Sequence, residues 1–272
     1  MIHFYRKIRK QLLGENNTRK YFKYAVGEIL LVVVGILIAL QVNNWNVEKS
    51  NNNLIKASAY NLINDLEKDM HKTKRIIRQI EKQITYIDSS ASYVRSKSID
   101  QIQNLDILYE FNMYYGYKPF TWHTATIEGI KNSGNLSLIK SDSLRTKIAS
   151  YYSFTKHLDE DFKKDISLSE KLIDYQSKII NTNYPNRAVF LDSVRSYYKK
   201  GRIAWGNSMS YKKAKKLNLQ ILTEDINDIH VLINNLFNYK GNLQTRSEVE
   251  LPRLISNAQE IIDEIKSEYP NN

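Results

Sequence analysis

Cysteine is absent from the chain. No disulfide, thiolate metal site or cysteine nucleophile can therefore exist, and an oxidising compartment poses no hazard. Proline and glycine are scarce, four and nine in 272 residues, which argues against a turn-rich β fold and for long unbroken helices. The sequence also lacks a phosphate-cradling glycine loop, a nucleophile elbow, a dinucleotide fingerprint and a zinc-protease helix. Serines and lysines abound, but abundance locates no dyad, so no enzymatic chemistry and no cofactor is expected. Five histidines are scattered: His3, His71, His123, His157 and His230. His157 is followed three and four residues on by Glu160 and Asp161. That places all three on one helical face, and without a second His–carboxylate pair the reading is a surface ion pair, with no metal. Trp122-His123 reads as packing, with a binding role as the alternative.

What the chain does have is one long apolar run. Ile29 to Leu40 is twelve apolar or glycine residues without interruption, inside the stretch YAVGEILLVVVGILIALQVNNW from Tyr24 to Trp45. As a helix these residues rise about 33 Å, enough for a hydrocarbon layer of about 30 Å. Tyr24 and Trp45 stand at its ends, where interfacial aromatics belong. Gln41-Val42-Asn43-Asn44 comes after Leu40, with no small-residue cleavage pattern, so an uncleaved anchor is expected over a signal peptide. A buried helix of a soluble protein is the alternative. Glu28 sits near the edge of the span and reads as an interfacial anchor, or as an intramembrane functional acid. Gly27 and Gly35 share a face that could seat a second helix, and a homo-oligomer stays open.

Charge orients the anchor. Residues 1–23 carry Arg6, Lys7, Arg9, Lys10, Arg19, Lys20 and Lys23 against Glu15 alone, which accounts for +6 of the net +11. The expectation is an N-terminus in the cytoplasm and the remainder outside it, as a single-pass protein of the cell inner membrane with a periplasmic body. Phe4 or Tyr5, Ile8 and Leu12 among these cations read as an amphipathic helix on the anionic leaflet, or else as a disordered basic tail. With the basic excess explained by topology, a nucleic-acid partner is not expected.

The chain divides into three parts: 1–23 basic and cytoplasmic, 24–45 transmembrane, and 46–272 an extracytoplasmic helical body. Ala59, Ile63, Leu66, Met70, Thr73, Ile77, Ile80, Ile84, Ile87, Ala91 and Val94 alternate in steps of four and three, which is the seam of a coiled coil or long bundle ending near Ser96. A second long helix is expected from about Ser143 to Asn181, with Ser141 as its N-cap and Asp142 in its first turn. A last helix is expected from about Leu217, with a bend or break after Lys240-Gly241-Asn242 and Pro252 opening or kinking the final segment. The fold class is all-α: an anchor and an elongated bundle of three long helices. An aromatic hairpin over about 100–138 is expected to cap the membrane-distal end.

Ser193 to Thr223 holds Arg195, Lys199, Lys200, Arg202, Lys212, Lys213, Lys215 and Lys216 and no acid, with Tyr197, Tyr198, Trp205 and Tyr211 among them. If the second long helix returns toward the membrane, these cations meet lipid phosphates and the rings sit at headgroup depth. A merely solvated basic loop is the alternative.

The segments YAVGEILLVVVGILIALQVNNWN and TW…IKNSGNLSLIKSDSLRTKIASYY resemble hallmarks of a family of unknown function. Its members are single-pass membrane proteins of Gram-negative bacteria. Ile127-Glu128-Gly129-Ile130 before Lys131 departs from the more leucine-like helix end of that pattern. The resemblance implies the anchor and the topology, and it carries no catalytic residues. The expected role is a membrane-anchored scaffold or adaptor working through protein contacts. The alternative is a sensor ectodomain, which would need a separate signalling or transport subunit because only about 23 residues precede the anchor.

Overall fold

A computed structural model of the chain describes residues 18–102, 106–107, 109, 117, 119–181, 183, 194, 196–197, 200, 202–216 and 220–270. The described residues are 86% helical and contain no strand, so the all-α expectation holds. The long elements are α1 (Thr18–Arg95), α2 (Ala125–Asn132), α3 (Asp142–Ile179), the short α4 (Arg202–Gly206) and α5 (Met209–Lys215), α6 (Ile226–Gln244) and α7 (Leu251–Glu268). Two compact units divide the chain at Ala59 and Tyr60.

The first unit is the front of α1. None of the residues in its apolar window is buried, and every large apolar side chain from Ile29 to Val42 is exposed. A buried core helix would have its apolar face covered by neighbours; this one is bare all round and is, among the described residues, long and apolar enough to cross a membrane.

The second unit is a three-helix bundle of α1 from Tyr60 onward, α3, and the α6–α7 rod. Tyr60 Oη donates to Tyr269 O at 2.7 Å and Lys240 Nζ meets Asp88 at 2.6 Å, so α1 and the rod are antiparallel. Ser141 and Lys147 meet Glu264 while Asp165 meets Asn242, so α3 is antiparallel to the rod as well. It follows that α3 runs in the same direction as α1. The return direction expected for this helix is thereby corrected.

Parallel neighbours need a crossover, and the segment before α2 supplies it. Tyr86 Oη donates to Tyr109 O (2.8 Å), Lys72 Nζ to Thr121 O (3.2 Å) and Thr126 Oγ1 to Asp65 (2.6 Å). The chain thus travels back along α1 before α3 begins. Thr121 to Thr126 accordingly lie beside Asp65–Lys72 and so do not form the expected cap at the far end of the bundle; 103–105, 108, 110–116 and 118 of that expected cap lie outside the described residues. Gly134 makes the turn after α2 at φ 73°, a left-handed conformation that glycine tolerates.

Boundaries follow local chemistry. Ser141 caps α3 by accepting from Leu144 N at 3.0 Å. Asp225 caps α6 by accepting from Asn227 N at 2.9 Å, which starts that helix later than Leu217. The rod does not break at Gly241; its irregularity is a π-helical stretch, Thr245–Glu250. Pro252 has no N–H to give, and its ring would crowd the carbonyl four residues back, so a widened turn just before it relieves both conflicts.

The interior stripe of α1 is Ile55, Ala59, Leu62, Leu66, Asp69, Thr73, Ile76, Ile80, Gln83, Ile87, Ser90 and Val94, all buried. Of the expected seam, Ala59, Ile63, Leu66, Thr73, Ile80, Ile87, Ala91 and Val94 are buried, while Met70, Ile77 and Ile84 are half-buried flank. The adjacent pair Ile76 and Ile77 tests this register. Ile76→Ala should cost about 2–5 kcal/mol of stability in denaturant unfolding, and Ile77→Ala less than half as much. Equal losses would place the core midway between them.

Candidate functional site

Polar residues in a helical core are costly unless partnered, and α1 and α3 place several there. Around them the bundle builds two buried charged centres.

The first is Asp69, with no solvent exposure. His123 N donates to its Oδ1 at 3.1 Å, and His123 Nδ1 lies 2.6 Å from the same oxygen, a separation that requires a proton between them. Tyr151 Oη donates to Oδ2 at 3.4 Å, and Tyr152 Oη donates to His123 O at 3.2 Å. Trp122 Nε1 donates to Asp159 on α3 at 3.0 Å. Trp122-His123 is therefore a strap tying the returning segment to both parallel helices. Burial pushes the Asp69 carboxyl above its ordinary value, outweighing the hydrogen bonds from His123 and Tyr151 that favour its charge. Tyr151 is raised by its own burial and then by the Asp69 charge.

The second centre is Arg246, carried inward by the π-helical stretch. Its Nε lies 3.2 Å from Asp165 Oδ2, and its Nη1 lies 3.4 Å from Asp161 Oδ2 and also meets Glu250 Oε2. Asp165, fully buried, additionally accepts from Tyr117 Oη at 2.7 Å and Asn242 Nδ2 at 3.2 Å. Burial opposes the guanidinium charge, yet Asp165, Glu250 and Asp161 together raise Arg246 above its ordinary value. Tyr117 is raised by burial and then by Asp165. At the rim, His157 Nε2 lies 3.0 Å from Asp161 and 3.7 Å from Glu250. The expected partner Glu160 instead meets Lys163 at 2.7 Å.

The sequence profile of DUF6090, a family of unknown function, matches residues 28–183, more than half of the chain. This chain belongs to DUF6090. No curated protein and no solved structure matches it. The DUF6090 match contains the whole Asp69 strap, whereas Arg246 and Glu250 of the second centre lie beyond it.

The residues singled out from sequence fall elsewhere in this DUF6090 protein. Arg6, Lys7, Arg9 and Lys10 lie outside the described residues, as do Arg195, Tyr198 and Lys199. Lys20 and Arg202 are helical, but their side chains are also outside the description. Lys23, Tyr24, Glu28 and Trp45 are exposed, with Lys49 Nζ 5.2 Å over the Trp45 ring. Lys200, Lys212, Lys213, Lys215 and Lys216 are exposed and Tyr197 is half-buried. Trp205, read as a headgroup-depth ring, is 1% exposed: it stacks on Tyr109 at 5.7 Å and takes the edge of Tyr211 at 5.6 Å. That ring is core of the α4–α5 hairpin and is removed from any lipid-facing set. The premise that brought the hairpin to a membrane, an α3 running back along α1, is also gone.

Sequence reasoning missed Asp69 and Asp165 because a search for apolar periodicity discards acids. It missed Arg246 and Glu250 because nothing local marks them; only Pro252, two residues on, signals the irregular turn.

Asp69→Ala leaves buried donors without an acceptor and should cost about 2–5 kcal/mol, while Asp69→Asn keeps an acceptor and should cost less. A raised native pKa means that the stability from this carboxyl is fully present below its ordinary 3.8 and lost as pH rises through the native value. The stability of the native protein relative to Asp69→Asn should therefore grow between neutral pH and about pH 4 in denaturant titrations; parallel pH profiles would refute this. Arg246→Leu strands Asp165 and should cost about 3–5 kcal/mol, most of it recovered in the Arg246→Leu/Asp165→Leu double variant.

Proposed function

We propose that this DUF6090 protein is a membrane-anchored helical scaffold or adaptor. In this reading α1 crosses the inner membrane once with its basic front in the cytoplasm, and the helical body lies in the periplasm and works by protein–protein contact. The observation that supports it best is the front of α1, where every large apolar side chain from Ile29 to Val42 is exposed in a helix that continues into a folded bundle. Lipid covers such a surface at no cost, and water does not. The cations of residues 1–23 favour the inward orientation and contact with anionic lipid.

The body suits a scaffold through its rigidity. Its interior is locked by the Asp69 strap and the Arg246 network, so a partner would meet a surface already ordered, at little further entropic cost. A sensory or regulatory subunit is the competing role, and partner identity separates the two. Cross-linking and co-purification from native membranes should recover envelope proteins or further copies of the chain for a scaffold. A histidine-kinase-like or transport protein would favour sensing.

Arginines at Val33 and Ile36 should cost roughly 5–7 kcal/mol of insertion free energy and move the protein from the membrane to the soluble fraction. An alkaline phosphatase fused to the C-terminus should be active and a fluorescent protein that matures only in the cytosol dark. The opposite pair of results would overturn the orientation, and a native chain already in the soluble fraction would overturn the anchor.

A further inference from the structure

We propose that His157, Asp161 and Glu250 form a binding site for one first-row divalent cation of the zinc class. The three side chains come from α3 and from the π-helical stretch, and their ligand atoms all lie within 4.8 Å of one another. His157 Nε2 stands 3.0 Å from Asp161 Oδ2 and 3.7 Å from Glu250 Oε1. Donors each about 2.0–2.2 Å from a tetrahedral Zn²⁺ lie about 3.3–3.6 Å apart, so the imidazole stands within tenths of an ångström of that spacing from each carboxylate oxygen.

The remaining oxygens are already held in the way that outer-shell groups orient metal ligands. Lys164 Nζ sits 3.3 Å from Asp161 Oδ1, and Arg246 Nη1 meets Glu250 Oε2. Asp161 Oδ2 and Glu250 Oε1 are the oxygens that face the imidazole, and an ion there shares Asp161 Oδ2 with Arg246 Nη1, which lies 3.4 Å from it. Charge argues in the same direction. Asp161, Asp165 and Glu250 have side chains only 8%, 0% and 15% exposed, and among the described residues the buried cation that meets them is Arg246, since Lys164 is 71% exposed. Buried carboxylates in excess of cations need a further positive charge. His157, 53% exposed, opens the site to solvent, so water can complete the coordination shell. One imidazole and two carboxylates suit Zn²⁺ better than Mg²⁺ or Ca²⁺, which prefer all-oxygen shells. The competing account is that protonated His157 alone supplies the charge.

Calorimetric titration of the full chain in detergent, stripped with a chelator and given Zn²⁺, decides between them. The native protein should bind one Zn²⁺ per chain near neutral pH and bind it more weakly at about pH 5.5, where protons compete for the imidazole. His157→Ala should lose at least tenfold in affinity, as should Glu250→Gln. His71→Ala, an exposed histidine elsewhere on α1, should bind as the native chain does. Zn²⁺ should raise the thermal midpoint of the native protein and leave that of His157→Ala unchanged, with the two metal-free melts coinciding to show that the variant is folded. No saturable binding by the native chain, or equal affinity in native and His157→Ala proteins, would overturn the proposal.

Discussion

A carboxylate without solvent must find its donors inside the protein, and Asp69 finds them in the segment that brings the chain back along α1. The backbone N–H and ring of His123 close on it, and the segment is thereby fixed at one height on the helix. Everything downstream depends on that anchorage. Because the chain is returned before α3 starts, α3 runs parallel to α1, and Tyr151 comes to face Asp69 from the neighbouring helix. The rod then runs antiparallel to both. A bundle assembled by short hairpins would alternate direction at every turn; this one does not, because a strap replaces a turn.

The second constraint lies where the rod departs from α-helical geometry. A regular helix through Thr245–Glu250 would carry its side chains past in the ordinary 3.6-residue rotation. The π-helical register instead holds both Arg246 and Ser247 inside, and Arg246 is then close enough to α3 to serve Asp161 and Asp165 together. Pro252 enforces the irregularity from one side and the acids satisfy it from the other. The two charged centres divide the work: one fixes the path of the chain, and the other fixes the rod against α3.

Much of the scaffold was legible in the residues. The apolar run stood out by length, α3 by its Ser141 cap and apolar spacing, and the end of α1 by the polar stretch after Val94. The interior register was largely legible. Ala59, Ile63, Leu66, Thr73, Ile80, Ile87, Ala91 and Val94 are both expected and buried, but the rest of the buried stripe contains Asp69, Gln83 and Ser90. A period count that rewards apolar residues moves to the flank carrying Met70, Ile77 and Ile84. Handedness of connection was not legible either, because helix spacing says which face is buried and nothing about which way a neighbour runs. The Arg246 centre joins residues some eighty positions apart in the sequence, a proximity that only the folded chain creates.

Tyr60 donates to Tyr269 across 209 positions, and Lys240 reaches Asp88 across 152. The early bundle residues are thus completed by others made 152 to 209 positions later. Loops of that length close slowly, and until they close the apolar stripe of α1 has no rod to cover it. Biogenesis of this protein therefore includes an interval in which half the core exists and waits for its other wall, the stage at which a holding chaperone has most to act on.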